Sequence, residues 1–379
     1  MYEEEKTMTE HSGKNVFKLG FGLMRLPRKE DGTIDVELTS ALTDKFISGG
    51  GTYFDTAYVY EGSEEAARKA LVERHPRDSY TIASKMNVRA AKSEEEAKAQ
   101  LDITMKRLGV DYMDYYLLHA LGSGSYEACT NYHLWEFIAE KKAQGVLRHI
   151  GFSFHDTPEM LDRILTEHPE VDFLQLQLNY ADWENPDVQS RACYETARKH
   201  GKYITVMEPC KGGLLANPPK AVREMFKAAD PEASYASWAF RFIASKEGIL
   251  TVLSGMNAMD QMEDNLSVVQ NLKPMTAEEE QLIVKAQEAI ASGASIPCTG
   301  CRYCVEGCPQ QIPIPQIFKV RNNQLLYEMP EERAKGEYGF ATHRGGKASD
   351  CVHCLQCEEA CPQHLPITTL LEELAALYE

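Results

Sequence analysis

Residues 1–290 alternate short apolar, β-rich runs with longer amphipathic stretches. The apolar runs predict eight strands, which end near Gly22, Asp55, Lys85, His119, Ser153, Gln175, Glu208 and Ser254. Successive ends are 22 to 46 residues apart, and each interval is long enough for one helix and its loops. Strands that alternate with helices form parallel sheets, and eight of them close a barrel. The pattern therefore predicts an α/β protein with a (β/α)8 TIM barrel.

The hydrophobic pattern changes near residue 290. A helical stretch ends near Ser292, and from Pro297 onward the chain is rich in Cys, Pro and Gln. Two short segments there, 314–328 and 366–379, have the spacing of helices. We therefore expect a barrel over residues 1–290 and a small α-helical domain over residues 291–379.

The sequence also indicates where one helix of the barrel begins. Ser93 and Glu96 form the S-x-x-E pattern of a capping box, ahead of the run LDITMKRLG. The sequence therefore predicts that a helix begins directly after Ser93.

Composition and charge narrow the range of functions. The chain has 379 residues, of which 43% are hydrophobic and 26% are charged, as in ordinary globular proteins. No apolar run approaches the roughly 20 residues that span a bilayer, and the acidic N-terminus lacks the hydrophobic segment of a secretory signal. The net charge of −17 argues against nucleic acid and against an anionic membrane surface as partners. We expect a cytoplasmic protein, and its acidic charge is compatible with small-molecule chemistry or with docking of a basic redox partner.

Cysteines mark the second domain. Eight of the eleven lie between residues 298 and 361, in two copies of C-x2-C-x2-C-x3-C-P. Three cysteines at this spacing can wrap one [4Fe–4S] cubane, and in two-cluster ferredoxins the fourth ligates the other cluster. The predicted ligands of one cluster are Cys298, Cys301, Cys304 and Cys361. Those of the second cluster are Cys351, Cys354, Cys357 and Cys308.

Zinc is the alternative metal, because it also binds C-x2-C pairs. A zinc site does not need a third cysteine at the same spacing and a Cys-Pro, both present twice here. The 42 residues between Cys308 and Cys351 exceed the gap in compact bacterial ferredoxins, and a helix is predicted inside them. The module is therefore similar to the α-helical ferredoxins of larger oxidoreductases.

Polar residues stand at the ends of three predicted barrel strands, where TIM barrels place their active sites. They are Asp55, Lys85 and His119, and Tyr60 follows Asp55 by five residues. The segments FDTAYVY, IASK and LLHA resemble the aldo-keto reductase family. Further similar segments follow in order: GFS at 151–153, QLQLN at 175–179, EPCKGGL at 208–214 and SGMNAMDQMEDN at 254–265. The whole chain resembles a subgroup with a fused two-cluster ferredoxin-like domain.

The resemblance implies proton and hydride transfer to a carbonyl. Tyr60 would donate the proton, and the ammonium of Lys85 would lower the pKa of its phenol. Asp55 would pair with Lys85, and His119 would orient the substrate carbonyl. The hydride would come from NAD(H) or NADP(H).

The expected nicotinamide contacts depart from the family at several positions. Ser153 and Gln175 match residues that hold the nicotinamide amide, but Phe154 replaces an Asn, and Met207 stands where an aromatic residue often stacks on the ring. The cations that bind the 2′-phosphate of NADPH are replaced by Gly255 and Gln261, so a strong preference for NADPH is not expected. The full set of predicted contacts is Ser153, Gln175, Ser254, Gly255, Gln261, Asp264 and Asn265.

The clusters leave several functions open, because a cubane passes one electron whereas a hydride carries two. They could exchange electrons with a ferredoxin or another redox protein, sense redox state, or stabilise the fold. The leading hypothesis is a carbonyl–alcohol oxidoreductase. The alternatives are a ferredoxin-linked enzyme without nicotinamide and a redox-sensing or accessory subunit. A flavin could convert between one and two electrons, although we find no flavin motif.

Overall fold

The computed structural model describes residues 10–11, 14–186, 188–293, 296–298, 300, 302–361 and 363–379. These residues form two compact units. The first contains the chain up to Ala216 together with Ala233–Glu280, and the second contains Asn217–Glu232 together with Gln281–Glu379. The segment 217–232 thus clusters with the C-terminal residues, which a single division after residue 290 does not anticipate.

Eight parallel strands close the barrel of the first unit, and β8 pairs with β1 to complete the ring. The strands are β1 Leu19–Gly22, β2 Tyr53–Asp55, β3 Thr81–Met86, β4 Met113–Leu121, β5 Leu147–Phe154, β6 Phe173–Gln177, β7 Tyr203–Met207 and β8 Ile249–Ser254. A short antiparallel ribbon, Glu10–His11 with Lys14–Asn15, precedes them. The predicted TIM barrel is confirmed, with all eight predicted strands.

Helices follow the strands around the barrel. They are α1 Val36–Ser48, α2 Ser63–Ala67, α3 Glu94–Leu108, α4 Ser123–Asn131, α5 Leu134–Ala143, α6 Pro158–Glu167 and α7 Ser190–Lys199. After α8, Lys220–Ala229, come α9 Tyr235–Ala244, α10 Met259–Gln270 and α11 Ala277–Ser292. Ser93 caps α3 as predicted, since its side chain accepts from Glu96 N–H at 3.3 Å. The Glu96 carboxylate accepts from Lys92 N–H instead of completing the reciprocal bond to Ser93.

Alternate residues of the strands fill the barrel interior. Tyr53, Tyr115 and Phe173 pack there, with ring centroids of Tyr115 4.9 Å from Tyr53 and 5.2 Å from Phe173. Gly151 has no room for a side chain, because a Cβ atom would lie 2.4 Å from the backbone oxygen of Phe173. This packed layer closes the barrel below the strand ends that carry the polar residues.

The second unit is helical. Its helices after α11 are α12 Tyr303–Glu306, α13 Ile314–Leu326, α14 Glu331–Thr342, α15 Gln356–Glu359 and α16 Ile367–Tyr378. The two segments predicted as helices form α13 and α16, whereas α14 was not predicted from its Gly-containing sequence. Within the described ranges, no helix is long and apolar enough to cross a membrane.

Candidate active site and thiol-lined cavities

Asp55 and Lys85 form a buried ion pair at the ends of β2 and β3. Lys85 Nζ lies 2.6 Å from Asp55 Oδ1 and 2.7 Å from the backbone oxygen of Thr56. The Lys85 side chain is fully buried, so its charge depends on these partners. Burial opposes the ammonium form, but Asp55 and Tyr60 together outweigh burial and raise the pKa of Lys85. The ammonium is therefore held charged inside the barrel.

Tyr60 and His119 lie beside this pair. Lys85 Nζ is 5.0 Å from the centroid of the Tyr60 ring. The His119 ring meets the Tyr60 ring edge to face, with centroids 5.7 Å apart and an interplanar angle of 82°. The four residues that the sequence predicts as catalytic thus come together at the carboxyl ends of β2, β3 and β4.

The pKa of Tyr60 differs from the expectation that Lys85 would lower it. Burial raises the pKa of the Tyr60 phenol, and the ammonium of Lys85 offsets only part of that effect, while Asp55 and Glu208 raise the pKa further. The sequence identified the interaction with Lys85 but not the extent of burial around the phenol. In this site the Tyr60 hydroxyl is protonated at neutral pH.

His119 is neutral. Burial lowers the pKa of its imidazole to about 3, with further contributions from Lys85, His155 and Arg89. Within the part of the chain that the structure describes, its Nδ1 atom has no hydrogen-bond partner. A neutral imidazole has one N–H donor and one acceptor nitrogen, so the ring can donate one hydrogen bond.

Two predicted nicotinamide contacts lie side by side, since Ser153 and Gln175 are register partners on β5 and β6. Gln175 Nε2 donates to Asp55 Oδ2 at 3.1 Å, and Ser153 Oγ accepts from Ala120 N–H at 2.8 Å. Phe154 is buried on the face of β5 that also carries Phe152, whose ring contacts Trp135 of α5. Phe154 thus packs towards the helices and does not replace the missing Asn.

The remaining predicted contacts lie at the end of β8 and in α10. Asn265 Nδ2 donates to Ser254 Oγ at 3.0 Å, and Gln261 Oε1 accepts from Asn257 N–H at 3.0 Å. Asp264 Oδ2 accepts from the hydroxyl of Ser234 at 2.7 Å. Gly255 is exposed. The structure brings these residues to one end of the barrel, with most of their polar side chains bound to neighbouring protein groups.

Sequence reasoning missed a second buried ion pair at this end. Lys211, in the loop after β7, binds Asp182, whose side chain is fully buried. Asp182 Oδ2 also accepts from Gln177 Nε2 at 3.0 Å and from Asn179 Nδ2 at 2.9 Å. Both Gln177 and Asn179 belong to the QLQLN segment, but nothing in the sequence indicated that Asp182 would meet Lys211. The pair ties the loop after β7 to the loop after β6.

The second unit contains two cavities lined by cysteines. The first is lined by Cys298, Cys304 and Cys361; Cys301 lies outside the described residues. The second is lined by Cys308, Cys351, Cys354 and Cys357. The first cavity thus combines Cys298 and Cys304 of the first motif with Cys361, the fourth cysteine of the second motif. The second cavity combines three cysteines of the second motif with Cys308, the fourth cysteine of the first motif. This is the grouping that the spacing predicts, and ligation of iron by these thiols stays a prediction.

The two cavities belong to an internal repeat in which each residue corresponds to the one 53 positions later, as Cys298 corresponds to Cys351. Helices α12 and α13 correspond in this way to α15 and α16. Left-handed backbone recurs at matching positions: Gly300, Arg302 and Gln311 in the first half, and His353, Leu355 and His364 in the second. The described parts of the two motifs therefore fold alike.

The walls of both cavities combine thiols with apolar side chains. Beside its thiols the first cavity is lined by the apolar side chains of Ile314, Phe318 and Leu365, and Ile314 also lines the second cavity. Thiolates within an apolar lining are the usual surroundings of such clusters. Among the described residues, no three His, Cys, Asp or Glu side chains form a group that could hold a metal ion.

Comparisons with known proteins agree with this architecture. A model of the aldo/keto reductase family matches residues 18–288, and a model of the 4Fe-4S dicluster domain matches residues 297–365. The chain is therefore a member of the aldo/keto reductase family with a C-terminal 4Fe-4S dicluster domain.

Individual relatives are distant. The chain is 28% identical to aldo-keto reductase str7 of Strobilurus tenacellus, over 54% of this chain and 62% of that protein. It is 23% identical to L-galactose dehydrogenase of Arabidopsis thaliana, over 72% of this chain and 90% of that protein. An aldo-keto reductase of Klebsiella pneumoniae, solved in complex with NADPH, superposes with a TM-score of 0.59 at 19% identity, covering 73% of this chain and 93% of that one. At this identity the likeness shows the fold.

Proposed function

We propose that the barrel interconverts a carbonyl and an alcohol at a site formed by Tyr60, Lys85, Asp55 and His119. The observation that carries the proposal is the fully buried Lys85 ammonium, which is bound to Asp55 at 2.6 Å and lies 5.0 Å from the Tyr60 ring centroid. A buried cation beside a phenol stabilises the charge that forms when the phenol gives up its proton. Its position at the strand ends matches the usual location of barrel active sites.

Tyr60 is the proton donor of the proposed reaction. Its raised pKa keeps the hydroxyl protonated at neutral pH, as carbonyl reduction requires. Lys85 acts when the proton leaves, because its charge then faces a phenolate. Asp55 keeps the ammonium in place and charged.

His119 binds the substrate rather than transferring the proton. With a pKa of about 3 the imidazole is neutral, so it has no acidic proton to give at neutral pH. Its N–H group donates a hydrogen bond to the carbonyl oxygen, next to Tyr60. The proximity of the two rings, with centroids 5.7 Å apart, supports this role.

A bound nicotinamide cofactor would supply the hydride. Ser153 and Gln175 would flank its amide, and their position as neighbours on β5 and β6 supports this role. The residues proposed for the remainder of the cofactor are Ser254, Gly255, Gln261, Asp264 and Asn265. Since positions 255 and 261 carry no cation, we propose no preference for a 2′-phosphate.

The test is a Tyr60→Phe variant assayed on a panel of aldehydes and ketones with NADH and NADPH. We expect turnover to fall by about 10² to 10⁴, the usual contribution of a positioned acid. Tyr58→Phe is the matched control, because it removes a hydroxyl from the same loop and should leave turnover near the wild-type value. A Tyr60→Phe enzyme with full activity would reject the proposal.

A second candidate function is electron transfer through the C-terminal domain to a redox partner protein. The supporting observation is that Ile314 lines both thiol cavities, so the two cavities are neighbours within the second unit. Anaerobic titration of the iron-loaded chain with NADH and NADPH, followed by cluster absorbance, tests whether the two chemistries are linked. Bleaching would support a linked electron path and require a two-electron to one-electron converter. Unchanged absorbance with bound nucleotide would reject that link.

A further inference from the structure

The two halves of the cysteine repeat differ in charge where their folds coincide. Arg302 lines the first cavity, and the corresponding residue of the second cavity is Leu355. Both residues have left-handed backbone, with φ of 67° and 62°, and both immediately precede a four-residue helix. The wall of the first cavity therefore carries a cation where the wall of the second carries an apolar side chain.

A carboxylate lies beside the second cavity, and the corresponding position beside the first cavity is apolar. Glu358 Oε1 accepts hydrogen bonds from Thr368 N–H at 2.8 Å and from Thr368 Oγ1 at 2.6 Å. Thr368 lines the second cavity, so this anion is anchored against its wall. The corresponding residues of the first half are Val305 and Pro315, which cannot supply such a charge.

The difference in charge between the two halves extends along the whole repeat. Residues 298–326 contain three cations, Arg302, Lys319 and Arg321, and one carboxylate, Glu306. Residues 351–379 contain five glutamates and neither Lys nor Arg. Lys319 and Glu372 occupy corresponding positions, so one exposed site changes from cation to anion between the halves.

We propose that the two cluster sites have unequal reduction potentials, and that the site of Cys298, Cys301, Cys304 and Cys361 is reduced first. The proposal deepens the proposed electron-transfer function and rests on the two-cluster assignment. Reduction adds one negative charge to a cluster, which a neighbouring cation favours and a neighbouring carboxylate opposes. A one-electron reductant loses one electron, and that electron resides on the cluster beside Arg302. The second cluster is reduced only by a second electron.

The repeat supplies matched variants for the test. Arg302→Leu and Leu355→Arg each introduce the side chain that the corresponding left-handed position already accommodates, so both variants should fold. Arg333→Leu is the control, because it removes the same charge from α14 of the same unit. The measurement is an anaerobic redox titration of the iron-loaded full chain with dithionite, followed by electron paramagnetic resonance.

We expect two separate one-electron steps in the wild-type protein. Arg302→Leu should make the higher potential more negative, Leu355→Arg should make the lower potential less negative, and the double exchange should narrow or reverse the separation. A single shared potential would overturn the proposal, as would an Arg302→Leu shift no larger than that of Arg333→Leu. A chain that does not bind iron would reject the cluster assignment and this proposal with it. Failure to reduce carbonyls would reject only the function proposed for the barrel.

Discussion

Gln175 donates a hydrogen bond to Asp55, with 3.1 Å between Nε2 and Oδ2. The sequence assigns Gln175 to the cofactor and Asp55 to catalysis, but the structure joins them directly. The other oxygen of the same carboxylate binds Lys85. Gln175 therefore supports the buried charge on which the proposed catalytic site depends.

Replacing Gln175 with Leu should destabilise the barrel. The change leaves one oxygen of a buried carboxylate without its donor, and a hydrogen bond to a charged group is worth about 1.5–3 kcal/mol. We expect the free energy of unfolding, measured by denaturant titration, to fall by about this amount. Calorimetric titration with NADH provides the contrast. Unchanged stability with a large loss of NADH affinity would show that Gln175 serves the cofactor alone.

The Asp55–Lys85 pair should show strong coupling in a double-variant cycle. Lys85→Met leaves the Asp55 charge buried without a partner, which typically costs about 3–5 kcal/mol. Asp55→Asn combined with Lys85→Met removes both charges and should cost less than Lys85→Met alone. Denaturant unfolding of the two single variants and the double variant measures the coupling. Additive losses would contradict a direct ion pair.

The barrel was readable from the sequence because its signals are local. Each strand is a short apolar run, and the polar residues near the ends of three of these runs are Asp55, Lys85 and His119. The capping residue Ser93 was found for the same reason. Helix α14 lacks such a pattern, and it was missed.

The sequence did not predict properties that depend on the three-dimensional surroundings of a residue. The raised pKa of Tyr60 follows from burial of its own phenol, which depends on residues that are distant in the sequence. The partners of Ser153 and Gln175 were missed because they come from other strands, and the Asp182–Lys211 pair joins two loops. The grouping of the cysteines is the exception, because the spacing of a repeated motif specifies which thiols can meet.

His119 should remain neutral well below its ordinary pKa. We expect the ring resonances of His119, assigned by comparison with His119→Gln in isotope-labelled protein, to stay constant between pH 8 and pH 5. Burial, which lowers its pKa to about 3, is the physical cause. A titration step near pH 6.5 would show that the imidazole is solvated, and would remove the argument that it acts as a neutral donor.

The lowered pKa of His119 also makes the free energy of unfolding depend on pH. Because the folded pKa lies below the unfolded value, the unfolded chain binds more protons as the pH falls from 6.5 towards 3. The contribution of His119 is present above pH 6.5 and is lost below it, at no more than about 1.4 kcal/mol per pH unit. Denaturant unfolding at pH 7 and pH 5.5 should therefore show a smaller pH dependence in His119→Gln than in the wild-type chain.

The exchange of cysteines between the two motifs predicts how cysteine variants combine. Cys361→Ser should disrupt the cluster of the first cavity, and Cys308→Ser that of the second, because each thiol lines the cavity of the other motif. Each variant should lose roughly half of the bound iron. Adding Cys298→Ser to Cys361→Ser should cause little further loss, since both thiols serve one cavity, whereas Cys308→Ser with Cys361→Ser should lose nearly all iron. Iron and sulfide analysis of anaerobically purified protein gives the answer. If Cys298→Ser combines with Cys308→Ser without additional loss, each motif binds its own cluster, and the exchanged grouping is wrong.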